Sequence, residues 1–242
     1  SGTAFTVTLS ATDKAAINQI VNKNGAISTG GTTYNLAMAD DWDTNVTTGD
    51  TSDASGNGIT ASNVAAPAIT SATYNASTGA LVVTGTGLLK SSGAANDIDA
   101  SKFTFTGEGG ATYTLTDSAD VEIASGTAFT VTLSSTDKAA VNQIVNKNGT
   151  ASTDATTYNL AAAEDWAAGA NAAVNVADTT GNGITTSNVA VPAITSATYT
   201  ASTGALVVTG SGFLKASGAA NDIDASKFTF TGEGGATYTL TD

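Results

Sequence analysis

The stretch GAANDIDASKFTFTGEGGATYTLTD, residues 93–117, gives the clearest indication of the fold of this chain, because it combines strand periodicity with a tight turn and occurs twice. It returns letter for letter at residues 218–242. Apolar residues alternate with threonines in FTFT (103–106) and TYTL (112–115), which is the pattern of strands with one buried and one solvated face. The short Gly-rich segment between these runs predicts a β-hairpin.

The repetition extends beyond this stretch to the whole chain. SGTAFTVTLSATDKAAINQIVNKNG opens the sequence and returns almost unchanged from Ser125. The repeat is therefore about 125 residues long. The copies diverge in length and sequence at 43–55 and 167–180, which predicts a surface loop there. The heptapeptide SADVEIA (118–124) occurs once.

The two prolines of the chain predict where one repeat ends and the next begins. Pro67 and Pro192 lie in the matching segments NVAAPAITSATY and NVAVPAITSATY. Proline lacks a backbone donor and favours the first position of a strand or a junction. We therefore expect residues 1–66 to be the back part of one repeat, residues 67–191 a complete repeat, and residues 192–242 the front part of the next.

Strand patterns dominate each repeat, and one helix interrupts them. The segment LSATDKAAINQIVNKNG predicts a helix in which Ser10 or Thr12 caps the first turn and Gly25 follows the last. Seven or eight short strands and one helix in such a length are typical of an immunoglobulin-like β-sandwich. The predicted fold is mainly β: tandem immunoglobulin-like β-sandwich repeats of about 125 residues, each with one short helix.

The segment VPAITSATYTASTGALVVTGSGFL (191–214) resembles the opening of IPT/TIG-type immunoglobulin-like domains. The near-identical Thr-, Ala-, Gly- and Asp-rich units without Cys also resemble tandem modules of large bacterial cell-surface proteins of the adhesin and S-layer type. This resemblance implies an extracellular structural or adhesive role. It also implies Ca²⁺ binding, which many such modules share.

Composition excludes several classes of function. The net charge is −13, and all eight basic residues are Lys. Nucleic-acid binding needs a cationic surface, which is absent, and an anionic membrane surface is disfavoured for the same reason. The lack of Cys, His and Arg removes thiol and imidazole catalysis and guanidinium clamps. The sequence contains no run of 18 apolar residues, which is the length that would predict a membrane span.

The remaining catalytic candidates are carboxylates beside a tryptophan. Asp40, Asp41 and Asp43 surround Trp42, and such a carboxylate pair near a sugar-stacking aromatic is the pattern of a glycosidase. The second copy reads EDWA (164–167), so the set is not the same in both repeats. A solvated acidic turn with a packed Trp explains the pattern better, and we predict that the chain is not an enzyme.

The best metal candidates are acidic residues that alternate just before a predicted strand. Two carboxylates and an amide there could face one Ca²⁺ ion, which prefers several oxygen ligands. An ordinary Asx turn is the alternative interpretation. Glu108 and Glu233, at the hairpin tips, are expected to be solvated. Asp117 precedes the single heptapeptide and Asp120 and Glu122 lie within it, where the three could complete a junction site. The candidate calcium ligands are Asn96, Asp97 and Asp99, with Asn221, Asp222 and Asp224 in the second copy.

These observations predict a structural repeat module of a bacterial extracellular surface layer, fibre or adhesin that stacks head to tail, rigidified by calcium. Its expected partners are copies of itself in a head-to-tail homopolymer, or neighbouring repeats of a longer chain, because the front and back parts of the repeat are complementary. The alternative is a carbohydrate- or host-surface-binding module that uses Trp42 and Trp166. Burial of the tryptophans would favour the structural role, and their exposure in a groove would favour binding.

Overall fold

The computed structural model describes residues 2–89, 97–123, 125–214 and 222–241. These residues form eleven strands in several small sheets and two α-helices, which confirms the prediction of a mainly β chain. Three parts of the molecule are distinguished below: the N-terminal segment (2–66), the central segment (67–191) and the C-terminal segment (192–241).

The N-terminal segment contains helix α1 (Ala11–Ile20) and otherwise only isolated β-bridges. The helix begins where predicted, because the hydroxyl of Ser10 accepts a hydrogen bond from the backbone N–H of Asp13. It ends earlier than predicted, with Val21 as its C-cap, so Gly25 lies outside it. The segment 4–10, which has a strand pattern, forms no strand here.

The central segment contains two sheets and helix α2 (Ser135–Ile144). The strand orders are β5-β2-β1-β7 in the first sheet and β4-β3-β6 in the second. The predicted hairpin is formed by β3 and β4, which pair antiparallel. The strands are β1 (Ala68–Asn75), β2 (Ala80–Thr86), β3 (Phe103–Thr106), β4 (Thr112–Thr114), β5 (Ala128–Thr132), β6 (Asn159–Ala162) and β7 (Ile184–Ser187).

The first and last strands of the central segment are parallel neighbours. β1 pairs with β7 in a register that runs from Ala72 opposite Ile184 to Asn75 opposite Ser187. The other strand pairs in the two sheets are antiparallel. The chain therefore enters the first sheet at the start of β1 and leaves it at the end of β7. Because the end of β7 lies beside the end of β1, the entry and exit points are at opposite ends of these two strands.

One apolar cluster fills the space between the two sheets and α2. Alternate residues of each strand point into it, as Leu81 and Val83 do in β2, while Val82 and Thr84 face outward. Trp166 is fully buried and packs with Phe103 and Phe129, at ring-centroid distances of 5.9 and 6.0 Å. The largest fully buried side chains are Trp166, Tyr74, Tyr158, Phe103, Phe105, Leu81, Leu88, Ile98, Leu115, Ile123, Leu160 and Ile184.

The C-terminal segment repeats only the hairpins of the front of the central segment. β8 (Ala193–Thr200) pairs with β9 (Ala205–Ser211), and β10 (Thr229–Thr231) pairs with β11 (Thr237–Thr239). Even the irregularity in β1 between Ile69 and Ser71 recurs in β8. Each hairpin is a separate two-stranded sheet. None of the helices in the described part of the chain is long and apolar enough to cross a membrane.

Candidate functional site

A buried carboxylate ties helix α2 to the β4 hairpin. Asp137 lies in the first turn of α2 and is fully buried. It accepts hydrogen bonds from the backbone N–H groups of Thr116, Asp117 and Ser118 and from the hydroxyls of Tyr113, Thr116 and Ser118, at 2.6–3.1 Å. These donors come from a segment that lies about 20 residues earlier in the chain.

The electrostatics of Asp137 suit a structural anchor. Burial by itself raises the pKa of this carboxyl, but the hydrogen bonds from Ser118, Asp117, Thr116 and Tyr113 outweigh it and hold the pKa well below its usual range. A carboxylate that is so strongly stabilised in its charged form is a poor general base at neutral pH. Asp137 therefore holds two parts of the fold together.

Glu108 corrects the prediction that the tip of the hairpin is solvated. Its side chain is buried and accepts hydrogen bonds from the Asn146 amide (2.8 Å), the Thr153 hydroxyl (3.0 Å) and the backbone N–H of Asp154 (3.3 Å). Burial raises its pKa, and these hydrogen bonds bring it below the usual value. Sequence reasoning missed this contact because the donors lie about 40 residues further along the chain. The equivalent Glu233 is exposed.

In the first copy, the predicted calcium ligands Asp97 and Asp99 accept hydrogen bonds from backbone N–H groups of this chain. Asp97 is fully buried, and its carboxylate accepts a hydrogen bond from the N–H of Ile123 at 2.9 Å. Asp99 caps the 3₁₀ turn that follows it and accepts from the N–H and the hydroxyl of Ser101. Asp120, from the single heptapeptide, accepts from the N–H of Ala100. Asn96 lies outside the described residues.

The second copy of this turn is exposed. Asp224 again caps the following turn through Ser226, and one of its oxygens lies 3.7 Å from the Lys227 ammonium. Asp222 is exposed, and Asn221 lies outside the described residues. Within residues 2–89, 97–123, 125–214 and 222–241, no group of three or more His, Cys, Asp or Glu side chains is arranged to hold a metal ion. Calcium binding therefore stays a prediction.

The carboxylates near the tryptophans act as hydrogen-bond acceptors in turns. Asp40 accepts from the N–H and hydroxyl of Thr51 and from the N–H of Asp41, and the first of these contacts contributes most to lowering its pKa. In the second copy, Glu164 accepts from the N–H groups of Val176 and Ala177.

The two tryptophans lie in different environments. Trp166 is enclosed in the core and donates its indole N–H to the carbonyl of Val176 at 2.7 Å, so it is not accessible to a sugar. Trp42 is 46% exposed and stacks on Phe5 at a centroid distance of 5.9 Å. A carbohydrate site would therefore rest on Trp42 alone.

The loop of variable length is more integrated than predicted. Ala167 and Val176 of the 167–180 loop are buried, although a surface loop was expected. The reason is that Val176 lies against Trp166, while Ala167 forms a bridge with Ile98. The extra residue is therefore accommodated in a loop whose two ends are anchored to the core.

The largest unexplained feature of the surface is an apolar face on the N-terminal segment, here called the back face. Its side chains are exposed, although their copies at 129, 131, 133, 160 and 166 are buried in the central core. Isolated exposed apolar residues are normal, but a set whose copies form one core is a candidate interaction surface. The back face consists of Phe5, Val7, Leu9, Leu36 and Trp42.

The C-terminal segment carries a matching face, here called the front face. An open groove of about 620 Å³ lies between its two hairpins. Gln143 of helix α2 also lines it. The apolar residues that line it are copies of buried residues of the central segment, where Phe129, Val131 and Trp166 occupy the equivalent space. The front face consists of Ile194, Leu206, Val208, Phe213, Phe228 and Leu240.

Comparison of the chain with protein-family models, with curated proteins and with solved structures gave no match. Proposals about its function therefore rest on the contacts described above and on the repeat in its sequence.

Proposed function

We propose that this chain is a structural repeat module of a bacterial extracellular surface layer, fibre or adhesin. In this proposal each repeat is an immunoglobulin-like β-sandwich of about 125 residues. Residues 67–191 form one complete repeat, residues 1–66 are the back part of one neighbour, and residues 192–242 are the front part of the other. The two sheets of the central segment and the single core between them support this assignment.

The observation that carries the proposal is the parallel pairing of β1 and β7. The backbone N–H of Ala72 donates to Gly183 at 3.0 Å, and that of Ala76 donates to Ser187 at 2.9 Å. Tension along an array enters the repeat at the start of β1 and leaves it at the end of β7. Such a load slides two parallel strands along each other, so their evenly spaced hydrogen bonds are strained together and not one after another. This arrangement resists stretching.

The use of charged groups in the central segment supports a structural role over a catalytic one. Asp97, Glu108, Asp137 and Glu164 each accept hydrogen bonds that hold one chain segment to another. The buried tryptophan fits the same role, since Trp166 is packed inside the core. Calcium at the acidic turns around Asp97 and Asp222 is proposed as a second and smaller contribution, motivated by the net charge of −13.

Single-molecule force spectroscopy tests the structural role. With the full chain tethered at its two ends, the central segment is expected to unfold in one step that lengthens the tether by about 400 Å, the extended length of a repeat. Gradual lengthening at forces no greater than those that peel an edge strand would contradict the proposal.

The repeat supplies a matched pair of variants for this measurement. Ala72→Pro removes the donor of a β1–β7 hydrogen bond and is expected to lower the unfolding force. Ala197→Pro makes the same change in the same local sequence, but β8 has no described strand on that side. Ala197→Pro should therefore leave the unfolding force of the central segment unchanged.

The extracellular location is tested separately. Antibodies raised against the chain should label the outside of intact source cells in immunogold electron microscopy. Labelling that appears only after the cells are permeabilised would contradict a surface location.

A further inference from the structure

We propose that the back face of one molecule docks onto the front face of a second copy of this chain and rebuilds the core of the central segment across two molecules. This inference rests on the repeat organisation in the proposed function and adds the partner, the surfaces and the register of the joint.

The central segment is the template for this joint. Its residues 128–133 have the same sequence as residues 4–9, and its residues 97–117 have the same sequence as residues 222–242. In the template these two parts pack together, and Phe103 contacts Phe129 and Trp166. The same contact in the joint would bring Phe228 of one molecule against Phe5 and Trp42 of the other. The three aromatic residues of this contact are therefore of the same types in the joint as in the template.

Strand pairing gives the joint a defined register in the first sheet. In the template, β5 pairs antiparallel with β2, with Val131 opposite Leu81. The equivalent edge of β9 is unpaired in the described structure, because β8 and β9 form a two-stranded sheet. Residues 4–8 of a second copy can add to this edge with Val7 opposite Leu206, which is recognition by strand addition. The free edge and the exposed strand sequence thus complete each other.

The second sheet is completed in the same way. In the template, β6 pairs with β3, with Leu160 opposite Phe105. The corresponding partners in the joint are Leu36 of one molecule and Phe230 of the other. The joint therefore supplies one strand to each of the two open sheets, and it covers apolar surface that is otherwise left in water.

The polar rim of the joint is also complementary. In the template, Asp137 accepts a hydrogen bond from Tyr113, and Glu108 accepts one from Asn146. In the joint, Asp13 would face Tyr238 and Glu233 would face Asn22, which are the same residue types. Each carboxylate on one molecule thus meets a donor on the other, which matters for a chain of net charge −13.

The two faces of one molecule cannot meet each other, because they lie at opposite ends of the central segment. The N-terminal segment adjoins Gly87, Leu89 and Gly126, near the start of β1. The C-terminal segment adjoins Gln143, and the helix that carries this residue contacts the end of β1 through Asn142, which accepts a hydrogen bond from Tyr74. β1 alone spans about 25 Å. Within this chain the two faces therefore do not cover each other, and a head-to-tail contact between copies extends into an open filament.

A glycine offers a probe that acts only on the joint. A Cβ at Gly107 would overlap the carbonyl oxygen of Ile144 at the end of α2, whereas a Cβ at the equivalent Gly232 meets nothing within 4 Å. In the joint, Gly232 would lie against Ile20 of the second copy. Gly232→Ala should therefore weaken association about tenfold or more without changing the melting temperature of the central segment. Gly107→Ala should lower that melting temperature.

Analytical ultracentrifugation and electron microscopy of the full chain test this directly. The wild-type chain should form species that grow with concentration, seen as filaments, and Gly232→Ala should shift this growth to higher concentration. A wild-type chain that stays monomeric at micromolar concentration would overturn the proposal, as would equal association of the two proteins.

Disulfide trapping tests the register. The chain has no Cys, so single cysteines can be placed at outward-facing positions. In the template Thr130 lies opposite Val82, which places Thr6 opposite Val207 in the joint. Thr6→Cys mixed with a mass-tagged Val207→Cys should crosslink at least about tenfold faster than Thr8→Cys mixed with the same partner, because the shifted pair is too far apart for good disulfide geometry. Equal rates would overturn the register.

These outcomes separate the joint from the function on which it rests. A monomeric chain whose central segment still resists force would overturn the joint and leave the structural role intact. A chain that forms filaments but whose central segment yields gradually would overturn the structural role and leave the joint intact.

Discussion

The central and N-terminal segments contain nearly the same sequence in two different environments. Phe129 is 2% exposed and Val131 is fully buried, whereas their copies Phe5 and Val7 are 72% and 67% exposed. AFTVT forms strand β5 at 128–132 and no strand at 4–8. The difference shows that this strand depends on its partner β2 more than on its own alternating pattern.

The helices behave differently from the strands. α1 and α2 have the same length and the same type of cap, formed by Ser10 and Ser134, although α1 buries no residue and α2 buries Asp137 and Val141. A helix satisfies its backbone within one segment and needs only a local cap to begin, whereas a strand must find its hydrogen bonds elsewhere in the chain. Replacing the same residue in one copy and then in the other therefore separates the contribution of local structure to stability from that of tertiary contacts.

The largest difference is expected for the two tryptophans. Trp166→Ala removes a fully buried ring between Phe103 and Phe129 and should lower the free energy of unfolding of the central segment by about 3–5 kcal/mol. Trp42→Ala, at a half-exposed position, should change it by less than about 0.5 kcal/mol. Urea denaturation followed by circular dichroism measures both values, and similar losses would mean that Trp42 contributes to the stability of the central segment as much as Trp166 does.

The next difference concerns the aspartates in the first turns of the helices. Asp137→Ala leaves the donors of Thr116, Asp117 and Ser118 without their acceptor and should destabilise the central segment by about 3 kcal/mol. Asp13 is exposed, and its hydrogen bonds among the described residues join it to Ser10 at its own helix terminus, so Asp13→Ala should lower the free energy of unfolding by at most about 1 kcal/mol. The same denaturation experiment checks this pair, and equal effects would contradict the anchoring role of Asp137.

A pH dependence should follow from the same residue. The pKa of Asp137 is lower in the folded state than its unfolded value of about 4, so its contribution to stability is complete above about pH 4 and is lost as pH falls toward the folded pKa. The urea midpoint of the wild type should therefore drop in this acidic range. Asp137→Asn should be less stable near neutral pH and should show a shallower drop, while Asp13→Asn should retain the wild-type profile.

The smallest expected effect is that of calcium. Extracellular modules bind this ion weakly, so about 2 mM Ca²⁺ should stabilise each occupied site by about 1 kcal/mol. Scanning calorimetry with EDTA and with CaCl₂ should then show melting temperatures that differ by a few degrees. Asp222→Asn changes the exposed copy of the turn and Asp97→Asn the buried one, and comparing them assigns the shift to one copy. Superimposable melts of the wild type would remove calcium from the proposal.

Local sequence patterns predicted the features that depend on nearby residues. The mainly β content, the β3–β4 hairpin and the start of α1 at Ser10 all follow from alternation, turn residues and capping within a few positions. The absence of Arg, His and Cys likewise narrows the chemistry that the side chains of this protein can perform.

How these elements pack against one another depends on contacts between distant parts of the chain. The parallel pairing of β1 with β7, the burial of Glu108 and the different environments of Trp42 and Trp166 depend on residues that lie far apart in the chain. An alternation of apolar and polar residues indicates that one face of a strand is apolar. It does not indicate which strand will cover that face. The burial of a segment and its hydrogen bonds depend on the segment that packs against it. Identical segments are therefore buried in one part of the chain and exposed in another.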